Sequence, residues 1–271
     1  MTAAAAQAAQ AAQAALLARL TAWGATPTGE VWSTPTSVLA AGLLADRPVM
    51  AKHALVEEER RGGRLMAWWS DHGGLPVLDL DGDVLLMRRA TGLRDLASWA
   101  RGGQDPEATA AVVEVALALH ATPSPPGLVP LTTWFHALTA SQQEDGLLER
   151  CAGLARGLLI ATAPADVVAL HGDLHHGNVL DIGADWAAID PKGLLGHRAF
   201  DFANLLLNPD EATALEHLEP RLRQVAALAG LEEAVLRDWT AAWCGLSLAW
   251  GDGEPSWHDR TARAVAERLL P

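Results

Sequence analysis

Hydrophobic and polar positions divide this chain into a strand-rich first third and a helix-rich remainder. Residues Thr2 to Leu20 are almost all Ala, Gln and Leu, with Gln7, Gln10 and Gln13 recurring every third position. That spacing puts the glutamines on one stripe of a helix. The pattern predicts a single helix ending near Trp23-Gly24, its opposite face docked on the body, with a disordered low-complexity tail as the alternative. Val38 to Leu44 is an apolar run, Asp46-Arg47-Pro48 reads as a turn, and Val49 to His53 reads as a short strand carrying Lys52. Glu57 to Trp69 has helical spacing, and Pro76–Leu80 and Val84–Met87 form two strands joined by the hairpin signal Asp81-Gly82-Asp83. Beyond Arg88-Arg89-Ala90-Thr91-Gly92 the period changes. Helices are expected at Pro106–His120, with Asp105 as N-cap, and at Leu147–Ile160. After a strand-rich island from Val167 to about Asp190, further helices are expected near Phe200–Leu207, Glu211–Ala229, Glu232–Leu248 and Asp259–Leu269. The expected architecture is α+β in two lobes: an N-terminal helix over 1–24, a small antiparallel-sheet lobe over 25–90, and a mainly helical lobe over 91–271.

Composition narrows the function classes. The chain has 271 residues, half of them apolar, which is ample for a buried core. Its net charge of −13 argues against gripping nucleic acid through phosphate and favours cationic partners. No stretch has the length and apolarity of a membrane span, so no membrane association is expected and a soluble cytoplasmic protein is. Cys151 and Cys244 have no metal-site spacing and are read as free buried thiols. The chain has no tyrosine and 11 tryptophans, so aromatic contacts to any ligand must come mainly from indoles.

The chemistry concentrates in Leu170-His171-Gly172-Asp173-Leu174-His175-His176-Gly177-Asn178-Val179-Leu180, followed by Ala188-Ile189-Asp190. Two apolar strands flank a polar loop and a third strand ends in an aspartate. The pattern H-x-D-x-x-x-x-N, strand, D matches the catalytic-loop and metal-aspartate elements of the protein-kinase-like template. Phosphoryl transfer needs a carboxylate that orients the acceptor hydroxyl and takes its proton, and Asp173 is the candidate. It needs hard oxygen ligands for Mg²⁺, and Asn178 and Asp190 supply them. It needs a cation on the nucleotide phosphates, for which Lys52 is the candidate, steadied by one of Glu57, Glu58 or Glu59.

These residues resemble the aminoglycoside phosphotransferase family, in particular its streptomycin 6-kinase and hydroxyurea phosphotransferase branch. The resemblance rests on His171 to Leu180, on Ile189-Asp190-Pro191-Lys192-Gly193, and on Asp201-Phe202-Ala203-Asn204-Leu205-Leu206-Leu207-Asn208-Pro209. It extends more weakly to Arg60-Arg61-Gly62-Gly63 through Trp69 and to Leu85 through Gly92. It implies a protein-kinase-like fold, ATP and Mg²⁺ as cofactors, Asp173 as catalytic base, and Asn178 and Asp190 as magnesium ligands. Lys52 would contact the nucleotide phosphates with Glu59 as its partner. The hinge Met87–Ala90, with Arg88 and Ala90, would receive adenine through its backbone. His171 and Asp201 would support the catalytic loop. In place of a glycine-rich loop stands Ser33-Thr34-Pro35-Thr36-Ser37, whose hydroxyls and amides, Ser37 included, are expected to hold phosphate.

The implied acceptor is a cationic small molecule, an aminoglycoside of the streptomycin type, with antibiotic resistance as the cellular role. Hydroxyurea or an endogenous metabolite is the alternative acceptor, and a nucleotide-binding module without turnover is the alternative class. Lys192 is a candidate for contact with phosphate or acceptor. Trp250, Asp252, Glu254 and Trp257 are candidates for a cation-binding wall. A metal-dependent hydrolase using His171, Asp173, His175 and His176 is a further reading, but it leaves Asn178 and the Asp190 segment without a role. His197, His217 and His258 read as isolated surface residues, and Trp239 and Trp243 as core.

Overall fold

The computed structural model describes residues 3–70, 72–140, 145–251 and 254–270, residues 3–9 by backbone alone. Helix α1 (Ala3–Ala22) lies on a five-stranded antiparallel sheet of β1 (Thr26–Ser33), β2 (Ser37–Leu44), β3 (Arg47–Ala54), β4 (Val77–Asp81) and β5 (Val84–Arg88). The strand order is β1-β2-β3-β5-β4, and α2 (Glu57–Trp68) connects β3 to β4. Side chains alternate across a sheet. Val38, Ala40, Val49, Ala51, Val84 and Leu86 therefore pack together under Ala12, Leu16 and Leu20 of α1, while Gln10 stays exposed. Burying each of those two leucines contributes about 2 kcal/mol. The residues in between, Met50 and Lys52 of β3, pair in register with Met87 and Leu85 of β5. They face the other side of the sheet, where Met66 of α2 and Ala187 pack. The same alternation that docks α1 thus aims Lys52 away from it.

One boundary in the sheet lobe is corrected here. The chain reverses at Ala45-Asp46, whose φ angles are 46° and 62°, so Arg47 and Pro48 belong to β3 rather than to the turn. Strand β1 has no hydrophobic alternation because most of it is exposed at the sheet edge, where pairing to β2 holds it.

The helical lobe contains α3 (Leu96–Arg101), α4 (Asp105–His120), α5 (Leu131–Trp134), α6 (His136–Thr139) and α7 (Gly146–Ala161). It continues with α8 (Ala203–Leu206), α9 (Glu211–Ala229), α10 (Glu233–Ala249) and α11 (Trp257–Leu269). Two small sheets sit at its junction with the first lobe. One is ordered β6 (Val129–Pro130), β10 (Leu194–His197), β7 (Val167–Leu170); the other is the hairpin of β8 (Val179–Asp181) and β9 (Trp186–Ala188). Antiparallel pairing of Leu194 with Leu170 brings the residues just outside those strands together, and Lys192 N–H donates to the His171 carbonyl at 2.6 Å. Asp105 does not cap α4. It is buried as the first helical residue, and Arg221 of α9 donates to both its oxygens, with Nε at 3.0 and 3.1 Å. A carboxylate removed from water needs that partner more than the helix needs a cap. Cys151 and Cys244 are free and buried. No helix among the described residues is long and apolar enough to cross a membrane.

Candidate active site

The loop after β7 is held from below by one buried carboxylate. Asp201 accepts from the backbone N–H of His171 (2.8 Å) and of Gly172 (2.7 Å), and from His120 Nε2 (2.8 Å). His171 Nε2–H donates to the Ile189 carbonyl at 2.8 Å, and its Nδ1 accepts from Asp173 N–H at 3.2 Å. One buried imidazole therefore joins the loop to the strand that delivers Asp190, and burial pushes its pKa below the ordinary histidine value. His120 carries no signal in the sequence, because its role depends on α4 crossing beneath the loop.

Asp173 sits at the loop's apex with its two oxygens in different surroundings. Oδ1 accepts from Asn204 Nδ2 at 2.7 Å, while Oδ2 lies 3.8 Å from Lys192 Nζ. Asn204 is itself oriented: its carbonyl oxygens, backbone and side chain, accept from Asn208 Nδ2 at 2.9 and 3.0 Å. Arg221 in turn donates to the Leu205 carbonyl at 3.1 Å and to the Asn208 carbonyl. A buried ion pair thereby fixes the short α8 that carries Asn204. Burial raises the Asp173 carboxyl above the ordinary aspartate value, against the pull of Lys192. His258, read from sequence as a surface residue, is half-buried beside this group, 3.4 Å from Asn204 Oδ1 and from Ser247 Oγ. His197 is also buried, stacked on Trp239.

Asp190 takes a left-handed backbone conformation, φ 59°, uncommon for a non-glycine residue. Its Oδ1 accepts from Lys52 Nζ at 2.8 Å, and Lys52 pairs on its other side with Glu59 Oε2 at 2.5 Å. Of the three candidate glutamates it is Glu59 that meets this lysine; Glu58 pairs with Lys192 and Glu57 with Arg64. The two carboxylates together hold Lys52 above the ordinary lysine pKa despite its burial, which on its own would lower it. Asn178 ends the short turn after the loop, and its carbonyl accepts from the N–H of Ile189, the residue before Asp190, at 2.9 Å. Its amide nitrogen donates to the Asp173 carbonyl at 2.8 Å, which orients its oxygen end for a ligand. One carboxylate and one amide oxygen make the hard donor set that Mg²⁺ takes while keeping its waters.

The turn before β2 departs from expectation. Ser37 is buried, and its N–H and that of Thr36 donate to Thr34 Oγ1 at 2.9 and 3.2 Å, while Thr34 N–H donates to the Ser37 carbonyl. The amides of this turn satisfy its own hydroxyl and carbonyl, so Ser37 closes the turn instead of facing a ligand. Thr36 is the residue that reaches out, donating to Glu59 Oε1 at 2.8 Å. In the hinge, Arg88 N–H donates to Pro76 and Arg89 N–H to Pro48. Ala90 N–H has no protein partner among the described residues. The Arg88 side chain lines a separate cavity with Gly74, Glu114 and Trp186.

Asp173 and Lys192 form the floor of a cleft of ≈ 530 Å³. Its walls are indoles: Trp134, Trp243, Trp250 and Trp257, with Trp134 and Trp250 edge to face at 5.4 Å. Trp250 and Trp257 are there as expected. Trp243 serves the core and the cleft at once, and Trp134 carried no sequence signal. The acid at the rim is Asp259, which caps α11 together with Ser256. Glu254 is exposed and is not among the residues lining the cleft; Asp252 lies outside the described residues.

The chain is similar in sequence and in fold to proteins of known activity. The chain is 42% identical to streptomycin 3''-kinase of Klebsiella pneumoniae, over 92% of this chain and 98% of that protein. It is 30% identical to hydroxyurea phosphotransferase of Kitasatospora aureofaciens, over 92% and 76%. Against streptomycin 6-kinase of Streptomyces glaucescens it is 33% identical over 67% and 61%. Its fold resembles a choline/ethanolamine kinase family protein from Mesorhizobium loti (TM-score 0.66, 17% identity, 96% and 92% covered). It also resembles a thermostable mutant of aminoglycoside phosphotransferase APH(4)-Ia in complex with AMP-PNP and hygromycin B (TM-score 0.62, 16%, 94% and 96%). Residues 22–254 match the model of the aminoglycoside/hydroxyurea antibiotic resistance kinases, so the chain belongs to that family, one of phosphotransferases acting on hydroxyl groups.

Proposed function

We propose that this protein transfers the γ-phosphoryl group of ATP to a hydroxyl of a streptomycin-type aminoglycoside, the 3''-hydroxyl first, and so inactivates the antibiotic in the cytoplasm. The observation that carries the reading is the placement of Asp173 at the floor of a tryptophan-walled cleft, with the Lys52–Asp190 pair behind it. Indole faces and the Asp259 carboxylate suit a guanidinium-bearing sugar. A cleft of ≈ 530 Å³ is far larger than hydroxyurea needs, which favours the antibiotic as acceptor. Identity to the 3''-kinase across nearly the whole length of both chains supports the choice of hydroxyl.

In this reading Asp173 accepts a hydrogen bond from the acceptor hydroxyl and then its proton. Asn204 holds Oδ1 so that Oδ2 meets the hydroxyl, and burial, by raising the carboxyl's pKa, makes it a better proton acceptor near neutral pH. Lys52 holds the nucleotide phosphates, and Ala90 N–H is the hinge donor for adenine. Asn178 and Asp190 would hold magnesium, which supplies charge neutralisation on the phosphate oxygens when bound. Most of the rate acceleration then comes from positioning and electrostatics.

The test is a panel of streptomycin, other aminoglycosides and hydroxyurea with Mg-ATP, following ADP release and locating the phosphate by ³¹P–¹H NMR. Streptomycin phosphorylated at the 3''-hydroxyl is the expected product. Asp173→Asn should abolish transfer while nucleotide binding survives. ADP release with hydroxyurea alone, or Mg-ATP binding with no turnover on any acceptor, would refute the reading in favour of one of the alternatives.

A further inference from the structure

Two adjacent glutamates at the start of α2 hold two lysines, one on β3 and one in the loop after β9. Glu59 holds Lys52 of β3, and Glu58 Oε1 holds Lys192 Nζ at 3.1 Å. Lys192 belongs to the segment Asp190-Pro191-Lys192-Gly193, and α2 grips that segment closely. Arg61 Nε donates to the Lys192 carbonyl at 2.8 Å. Gly62 lies so near Pro191 that a Cβ there would be 2.3 Å from its carbonyl oxygen. Arg61 and Gly62 thus form a docking face for the loop after Asp190. The Lys192 backbone is fixed by Arg61 and by the His171 carbonyl, and its ammonium is fixed between Glu58 and Asp173 Oδ2.

Lys192 is the one lysine or arginine among the described residues lining the acceptor cleft. An ammonium there is unsuited to a cationic acceptor and suited to an anionic group, as its pairing with Glu58 and Asp173 shows. Lys192 has its ammonium 3.8 Å from Asp173 Oδ2, where the acceptor oxygen would lie, and its backbone follows Asp190, on the nucleotide side, by two residues. A phosphoryl group in transit passes between those two carboxylates with negative charge spread over its oxygens, and a fixed cation beside that path stabilises it.

We propose that Lys192 is a catalytic residue whose ammonium contacts the γ-phosphoryl group during transfer, with Glu58 as the positioning residue that holds it between turnovers. The proposal rests on the phosphotransfer roles assigned above to Asp173 and Asp190. In the step, the bond from the acceptor oxygen to phosphorus forms as the bond from phosphorus to the β-phosphate bridging oxygen breaks. The electron pair of the broken bond leaves on ADP, the hydroxyl proton passes to Asp173, and Lys192 remains protonated throughout.

The experiment compares wild type, Lys192→Met and Lys192→Arg. Intrinsic tryptophan fluorescence would follow titration with Mg-ADP alone and with Mg-ADP plus aluminium fluoride, a mimic of the phosphoryl group in flight, and kcat would be measured alongside. Lys192→Met should bind Mg-ADP within about 3-fold of wild type, yet lose on the order of 100-fold both in affinity for the fluoride complex and in kcat. Lys192→Arg should recover part of both. The proposal is overturned if Lys192→Met keeps the fluoride complex and kcat within about 3-fold, or if it weakens Mg-ADP as much as the complex, which a merely structural lysine would do. The titration contains no acceptor, so a wrong choice of acceptor leaves its result unchanged and appears only in the acceptor panel.

Discussion

Replacing Asp201 by asparagine removes one charge and one acceptor oxygen from a fully buried position, and the consequence can be worked from its three donors. In the better of its two orientations the asparagine keeps its oxygen on His171 N–H and His120 Nε2 and turns its NH₂ toward Gly172 N–H, now 2.7 Å from a donor. One buried N–H left without an acceptor costs about 1–3 kcal/mol. The two remaining bonds lose charge assistance, at about 1 kcal/mol each. The sum is about 3–5 kcal/mol, which for a chain of this size corresponds to a fall in Tm of roughly 10 °C. Catalysis should suffer as well, because Gly172 precedes Asp173 and a loop displaced by about 1 Å loses on the order of 100-fold in kcat. Thermal unfolding followed by circular dichroism, with kcat at a temperature where both proteins are folded, checks both numbers. A variant melting within about 2 °C of wild type with unchanged turnover would refute the account of Asp201 as the brace of the loop.

Gly62→Ala should lose about 100-fold in kcat, because the new Cβ forces α2 off Pro191 and carries both glutamates with it, whereas Gly63→Ala, which meets nothing within 4 Å, should be close to silent; steady-state kinetics on the pair decide it. Trp250→Ala should raise the acceptor KM by roughly 3- to 30-fold and leave that for ATP unchanged, and in wild type the acceptor KM should climb with salt; equal effects on both substrates would exclude a wall specific to the acceptor. Asp181 accepts from Arg94 N–H and its guanidinium and from Gly183 N–H, which hold its carboxyl well below the ordinary range. A depressed carboxylate stabilises the fold above its unfolded-state pKa and loses that contribution as pH falls through the folded value. Urea unfolding should therefore show wild-type stability declining below about pH 4, with Asp181→Asn less stable at neutral pH but flatter on the acid side.

The loop chemistry was legible because it is local. Asp173, Asn178 and Asp190 lie within one short passage through β7, β8 and β9, so their spacing already encodes their neighbourhood. Lys52 was legible from its place on a short strand just before the acidic start of α2. The choice of Glu59 over Glu57 and Glu58 needed the docked helix. Successive helical residues point about 100° apart, and only the crossing of α2 over the Asp190 segment decides which carboxylate meets which lysine. Ser37 was misjudged because composition cannot tell whether a hydroxyl serves a ligand or its own turn.

By itself, the sequence determined the two-lobe α+β division, the short strand that bears Lys52, and the spacing of Asp173, Asn178 and Asp190, the residues proposed to carry the reaction. Each is set by periodicity or short spacing. Tertiary structure decided the rest. The cleft draws Trp134, Asn204, Trp243 and His258 from four segments up to 124 positions apart. The brace under the loop joins His120 to Asp201 across 81 positions. No local pattern relates such residues, because what brings them together is the packing of helices whose own sequences ask only to bury an apolar face.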